Sequence, residues 1–139
     1  MERTEVKKTI GVSSDKVWQT ISRFSGIENF VPAIVSSVSH GDGEGMERTC
    51  TMGNGASFDE TLLKIDNDNM ELQYNVHDPS PLPFSSYVAN MQVNSIGNNQ
   101  SEILWNCTYN VDSGTAEEAN AMLSEIFLSG IDGLESLHS

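Results

Sequence analysis

The chain has 139 residues, of which 37% are hydrophobic, so it is long enough for one domain with a buried core. It carries 20 acidic against 7 basic residues, a net charge of −13, and no Lys or Arg follows Lys64. A chain this acidic repels phosphate, which excludes nucleic acid and disfavours anionic membrane surfaces as partners. It contains no apolar stretch of membrane-spanning length and no signal peptide, so we expect a cytoplasmic protein.

The first predicted elements are a strand and two short helices. Ser13 or Ser14 can cap the first helix, because a serine hydroxyl accepts a hydrogen bond from the free N–H groups at a helix start. The residue before a proline avoids helical geometry, so the second helix should end before Pro32. The apolar residues of these helices are Val17, Trp18 and Ile21 in the first, and Phe24, Ile27 and Phe30 in the second.

The middle of the chain is predicted to form antiparallel strands. Turn segments rich in glycine and asparagine divide it into runs of hairpin length; they are 41–45, 53–55, 67–69 and 97–99. Alternating apolar and polar residues in three of the runs indicate strands with one buried face. The apolar faces are Met70, Leu72, Tyr74 and Val76; Tyr87, Ala89, Met91 and Val93; and Ile103, Trp105, Cys107, Tyr109 and Val111.

The last segment predicts the longest helix. Thr115 precedes Glu117 and Glu118, and acidic residues stabilise the positive end of a helix dipole. An apolar stripe of period 3.6 follows, and it must be buried against the inner face of the sheet. Its members are Ala119, Met122, Leu123, Ile126, Phe127, Gly130, Ile131, Leu134 and Leu137. The sequence therefore predicts an α+β fold of order β-α-α-β-β-β-β-β-β-α in a single domain, residues 1–139.

Several segments in this order resemble the START-like (SRPBCC) superfamily, of the polyketide cyclase/dehydrase and lipid transport type. They are 10–18, Phe24, 30–32, the Gly-x-x-Arg stretch 45–48, 59–62, Leu82-Pro83, Ser86-Tyr87 and Trp105. The resemblance implies a helix-grip fold, in which a curved seven-stranded antiparallel sheet wraps around the C-terminal helix. It also implies an internal cavity, in which relatives bind lipids, sterols, polyketides or plant hormones. A minority of relatives act as cyclases.

Projecting the strand and helix phases inward gives the expected ligand-binding residues. They are Phe58, Glu60, Leu62, Tyr74, Val76, Tyr87, Ala89, Met91, Trp105, Cys107, Tyr109, Met122, Ile126 and Gly130. Each residue alone favours core packing, but aromatic rings with a few polar tips are typical of a ligand pocket. The resemblance implies that two loops gate the cavity, and the alternative is that their glycines and prolines only form turns. Their residues are Gly53, Asn54 and Gly55, and Pro81, Leu82 and Pro83.

Glu60 is the most informative of these residues. It lies in phase with Phe58 and Leu62, so an inward face places a carboxylate among apolar side chains. A buried carboxylate must be paired, hydrogen-bonded or protonated. Arg48 can supply the pairing charge. Alternatively, Glu60 accepts a hydrogen bond from a ligand hydroxyl or serves as a general base.

The remaining charged and reactive residues narrow the ligand and the chemistry. Lys8 and Lys64 are the only inward bases that we expect, so the ligand should be neutral. Cys107 has no cationic neighbour and should be inert, and the scattered histidines predict no metal site. We expect no cofactor.

Three functions are compatible with the sequence. A binder or carrier of a small, mostly apolar molecule is favoured, because residues of catalytic type are scarce. The second is a cyclase or dehydratase that uses Glu60 with a tyrosine, for which Tyr87 is the candidate. The third is an interaction module, whose acidic C-terminal half docks a basic protein partner. The sequence predicts neither the identity of the ligand nor an oligomeric state.

Overall fold

The computed structural model describes residues 1–139 and contains one seven-stranded antiparallel sheet. The strands are β1 (Glu2–Ile10), β2 (Ile34–His40), β3 (Glu47–Met52), β4 (Ser57–Asp66), β5 (Glu71–Val76), β6 (Phe84–Gly97) and β7 (Gln100–Val111). The helices are α1 (Ser14–Ile21) and α2 (Ala116–Leu137), with a 3-10 turn at Ile27–Asn29. The strands lie in the order β1-β7-β6-β5-β4-β3-β2. The predicted fold class is therefore confirmed, but the second predicted helix is only the 3-10 turn, which leaves out Phe24 and Phe30.

Side-chain caps fix where both helices begin. Ser13 caps α1, and its hydroxyl accepts a hydrogen bond from the backbone N–H of Lys16. Thr115 and Glu118 form a capping box at the start of α2, in which each side chain accepts a bond from the other residue's N–H. These bonds satisfy N–H groups that a helix start leaves without partners.

One face of the sheet is buried, and its residues largely follow the predicted alternation. The inner positions of β6 from Tyr87 to Val93, and of β7 from Ile103 to Tyr109, are all buried. Met70 is different, because it lies in the turn before β5 with a φ of 52° and is only half-buried. The predicted apolar face that starts at Met70 therefore includes one residue of the turn, and the strand itself begins at Glu71.

The helix α2 packs on this inner face through an aromatic stack. The ring of Trp105 on β7 lies parallel to that of Phe127 on α2, with centroids 4.5 Å apart. The Trp105 indole N–H also donates to the Tyr74 hydroxyl on β5, at 3.1 Å. Trp105 thus joins two strands and the helix, and it is only 2% exposed.

Two glycines of α2 allow its close approach to the rest of the fold. A Cβ atom added at Gly133 would lie 1.9 Å from the carbonyl oxygen of Phe30, where no atom fits. A Cβ added at Gly130 would lie 2.9 Å from the Trp105 ring. The C-terminal half of α2 is therefore held against the segment after the 3-10 turn and against Trp105.

We expect Gly133→Ala to destabilise the protein by about 3 kcal/mol or more, because the obstructing atom belongs to the backbone and cannot rotate away. Gly97→Ala is the matched control, since a Cβ there meets nothing within 4 Å. Its free energy of unfolding should stay within about 1 kcal/mol of the wild-type value. Urea unfolding measures both, and equal losses in the two variants would contradict the close approach.

Candidate functional site

A small cavity lies between the inner face of the sheet, α2 and the segment that leads from the 3-10 turn into β2. Its volume is about 60 Å³, and 16 of its 17 lining residues are hydrophobic. Glu60 on β4 is the exception. The cavity is therefore an apolar site with one carboxylate.

The structure divides the predicted ligand-binding residues into two groups. Those that line the cavity are Phe58, Glu60, Tyr74, Val76, Tyr87, Trp105, Met122 and Ile126. Those buried in the surrounding core, outside its lining, are Leu62, Ala89, Met91, Cys107, Tyr109 and Gly130. Tyr109 illustrates the reason, because its hydroxyl lies 2.7 Å from Thr4 Oγ1 and is engaged there. Inward phase indicates burial, but it does not distinguish core from cavity. Ligand contact stays a prediction for both groups.

The two predicted gate loops reach the cavity only at their edges. Leu82 lines it from the loop between β5 and β6, and Met52 lines it from the end of β3. The other predicted gate residues, Gly53, Asn54, Gly55, Pro81 and Pro83, lie outside the lining. The Asn54 side chain accepts a hydrogen bond from the Ala56 N–H, which closes the turn between β3 and β4. A gating role for these loops stays a prediction.

One wall of the cavity consists of residues that were not predicted from the sequence. Ile27, Val31, Ala33 and Ile34 line it from the 3-10 turn and the start of β2. The other lining residues that were not predicted are Met52, Phe84, Leu123 and Phe127. The i, i+4 spacing of Ile27 and Val31 signals one buried face, but local spacing does not say which element that face covers.

Burial separates the lining into a mouth and a floor. The mouth consists of the half-exposed residues, which are Ala33, Met52, Phe58, Leu82, Met122 and Ile126. The floor consists of the buried residues, among them Glu60, Tyr74, Tyr87 and Trp105. Polar groups therefore occur only at the bottom of the cavity.

Glu60 is paired with Arg48, which lies directly opposite it on β3. The Arg48 Nε atom donates to Glu60 Oε1 at 2.7 Å, and both residues are 4% exposed. The Cys50 thiol also donates to Oε1, at 3.5 Å. Glu60 Oε2 has no partner in the protein. Because Asn75 Oδ1 is the only fully enclosed side-chain polar atom without a partner, Oε2 is accessible from the cavity that Glu60 lines.

The Arg48 guanidinium is held by more than the carboxylate. Its Nη1 atom donates to the carbonyl oxygen of Phe24 at 2.8 Å. Its Cζ atom lies 3.7 Å from the centre of the Phe24 ring and 5.1 Å from that of Tyr74, which is cation–π geometry. Burial is the largest influence on the pKa of Arg48 and lowers it, but Glu60, Tyr74 and Cys50 together raise the pKa overall.

The expectation that Lys8 and Lys64 are the only inward bases is wrong, because the buried base is Arg48. Lys8 is exposed and pairs with Asp132 of α2. Lys64 is also exposed. Because Arg48 is already engaged by Glu60 and Phe24, no unpaired cation faces the cavity.

Two tyrosine hydroxyls accompany Glu60 at the floor. Burial, followed by the negative charge of Glu60, raises the pKa of Tyr74. Burial also raises the pKa of Tyr87 well above its usual value, and the neighbouring Tyr74 raises it further. Both side chains are therefore neutral hydroxyls that can donate hydrogen bonds, and neither is a base at physiological pH.

The buried pair predicts unequal effects of single and double substitutions. Arg48→Met should cost about 3–5 kcal/mol of stability, because it leaves the Glu60 carboxylate buried without its partner. The double variant Arg48→Met/Glu60→Met should be more stable than Arg48→Met alone, since no charge is then left unpaired. Urea unfolding of Arg48→Met, Glu60→Met and the double variant gives the coupling free energy between the two residues. Simply additive losses would contradict the pairing.

Both cysteines are free and buried. Burial raises the pKa of Cys50, with Glu60 as the second cause, and burial raises the pKa of Cys107 to about 12. Cys107 is therefore a protonated thiol at physiological pH and lacks the reactive thiolate form.

The raised thiol pKa values predict how stability depends on pH. Above the ordinary thiol pKa of 9.0, the unfolded chain loses protons that the folded chain retains. The free energy of unfolding should therefore fall as pH rises from about 9 towards 12. Urea unfolding at pH 8, 9 and 10 tests this, with Cys107→Ala as the control that should show a shallower fall. Equal slopes in both proteins would contradict the assignment to Cys107.

The structure contains neither a cluster of metal-binding side chains nor a membrane-spanning helix. No group of three or more His, Cys, Asp or Glu side chains is arranged to hold a metal ion. None of the helices combines the length and the apolar character that crossing a membrane requires.

The cavity and the helix-grip architecture agree with the family to which the chain is matched. Residues 1–138 match the family described as polyketide cyclase / dehydrase and lipid transport. The protein therefore belongs to this family, as the sequence resemblance predicted. No curated protein sequence gives a significant match.

Solved structures share the fold over nearly the whole chain. The protein XoxI from Bacillus cereus is 24% identical, with a TM-score of 0.89 over 99% of this chain and 96% of its own. A protein from Bacillus thuringiensis is also 24% identical, with a TM-score of 0.86 over 97% of each chain. Norcoclaurine synthase from Thalictrum flavum is 17% identical, with a TM-score of 0.73 over 98% of this chain and 85% of its own; its structure holds dopamine and hydroxybenzaldehyde. At these identities the similarity shows the fold alone.

Proposed function

We propose that this protein binds or carries a small, mostly apolar, neutral molecule in the cavity between the sheet and α2. The observation that carries the proposal is the composition of the lining, where Glu60 is the only residue that is not hydrophobic. Ligand sites are typically apolar with a few polar groups that fix orientation. The family description, which includes lipid transport, supports the same class of function.

The preference for a neutral molecule follows from the charges around the cavity. An anion would meet no unpaired cation there, because Arg48 is already engaged by Glu60 and by Phe24. The net charge of −13 adds a long-range repulsion. A cation would also lack a free counter-charge, since Arg48 balances Glu60. Burying an unpaired charge is costly, whereas a neutral molecule carries no such cost.

Catalysis is a second candidate, and one observation favours it. Glu60 Oε2 is free of protein partners at the floor, where the Tyr74 and Tyr87 hydroxyls also lie. A carboxylate with a free oxygen beside neutral hydroxyls is a combination suited to proton transfer in a cyclisation or dehydration. The similarity to norcoclaurine synthase, whose structure holds two small aromatic molecules, fits both candidates.

We also propose that the protein is cytoplasmic. The two free thiols are compatible with this location.

Native mass spectrometry of the freshly purified protein tests the binding proposal. We expect a fraction of the protein to retain a small apolar molecule that denaturing conditions release. In a thermal-shift screen, neutral apolar compounds should raise the melting temperature by a few degrees at concentrations well above Kd. Carboxylates and phosphates of similar shape should not. A screen in which only anions stabilise the protein would overturn the neutral preference.

Phe127→Ala would not test the cavity alone, because Phe127 also stacks on Trp105 and supports the fold. Leu128→Ala provides the control, since Leu128 is 39% exposed on α2 and lies outside the lining. This variant should retain the same molecule as the wild type. Loss of the molecule from Leu128→Ala would place the binding site elsewhere.

A further inference from the structure

The cavity cannot expand behind Trp105, which limits the size of its ligand. At the floor, the Trp105 ring is fixed by three contacts: the stack on Phe127, the hydrogen bond to Tyr74 and the close approach of Gly130. A Cβ at Gly130 would already lie within 2.9 Å of this ring, so the ring has no space behind it. The floor therefore cannot recede from the mouth.

The mouth, in contrast, can yield. Met52, Leu82 and Met122 are half-exposed, and an unbranched methionine side chain changes its shape at little cost. The cavity volume of about 60 Å³ is smaller than the roughly 150 Å³ apolar cavity that holds benzene in another protein. Movement of the mouth residues alone can supply space for one ring. A molecule with several fused rings would also displace the floor.

The polar atom at the floor selects the chemistry of the ligand. Glu60 Oε1 is occupied by Arg48 and Cys50, and Oε2 is free and accessible. A carboxylate oxygen only accepts hydrogen bonds, so its partner must be a donor. A hydrocarbon ligand would keep water away from Oε2, which has no hydrogen-bond partner in the protein, and an unpaired carboxylate oxygen is costly in an apolar site.

We propose that the ligand is a single-ring neutral molecule with a hydroxyl group, such as a phenol or a small cyclic alcohol, whose O–H donates to Glu60 Oε2. This inference rests on the function proposed above and specifies its ligand class. The ring occupies the apolar cavity between the Trp105 floor and the mouth. Larger lipids and multi-ring polyketides need more space than the cavity and its mouth supply, so we expect them to bind more weakly.

A titration with matched probes tests the inference on the wild-type protein. The probes are phenol, toluene, benzonitrile, benzoate and 2-naphthol. Binding of each probe is measured from the changes in amide chemical shifts of the protein. Phenol should bind at least about tenfold more tightly than toluene, which has the same shape without a donor. It should exceed benzonitrile, which only accepts hydrogen bonds, by a similar factor. Benzoate should not bind, and 2-naphthol should bind more weakly than phenol.

Two variants separate the size and donor requirements. Glu60→Gln keeps an oxygen for Arg48 and can turn an N–H donor towards the cavity, so the preference for phenol over benzonitrile should fall from about tenfold to near one. Met122→Ala widens the mouth, so 2-naphthol should gain affinity several-fold relative to phenol. Leu128→Ala should leave every affinity unchanged.

Each outcome decides a separate statement. Equal binding of toluene and phenol to the wild type would overturn the donor requirement, whether or not Glu60→Gln folds. Equal or tighter binding of 2-naphthol would overturn the single-ring limit. If no probe binds while native mass spectrometry finds a larger retained molecule, the ligand class is wrong and the proposed function stands. If no probe binds and no molecule is retained, the proposed function fails as well.

Discussion

The ion pair between Arg48 and Glu60 is the interaction on which the site and its surroundings depend. It places a charged guanidinium in the interior, where it must satisfy its donors locally. One donor goes to the carboxylate and another to the Phe24 carbonyl, so the pair connects the hairpin strands β3 and β4 to the segment after α1. Phe24 adopts a φ of 62°, a conformation that non-glycine residues rarely hold. The contacts of Arg48 with the Phe24 carbonyl and ring help to hold it there.

The architecture of the fold could be predicted because its signals are periodic. The alternation in β6 and β7 and the helical stripe of α2 each specify one apolar face, and two apolar faces in one chain must meet. The start of α1 could be narrowed to Ser13 or Ser14 from local sequence, and the structure shows that Ser13 is the cap. The alternation predicts a strand position for Met70, whereas the structure has it in the turn before β5.

The site was less predictable because it depends on contacts between distant segments. Glu60 and its pairing with Arg48 could be expected from strand phase and neighbouring strands, and the structure forms the pair. Ile27 and Val31 line the cavity, but only the packing of the 3-10 turn over the sheet brings them there. Gly130 has an inward position and still lies behind Trp105, outside the cavity lining. The phase of a strand or helix predicts which side chains point inward, but it does not predict which of them reach the cavity.

The division of the cavity into a fixed floor and a yielding mouth separates folding from selectivity. Residues of the floor also carry the core of the domain, so substitutions there change stability and shape together. Residues of the mouth are half-buried and pack at the edge of the core, so we expect changes in their size to cost less stability than changes at the floor. Descendants of one ancestral chain can therefore diverge in what they accept while they inherit the same scaffold unchanged. This arrangement makes the fold a tolerant starting point for the evolution of new pockets.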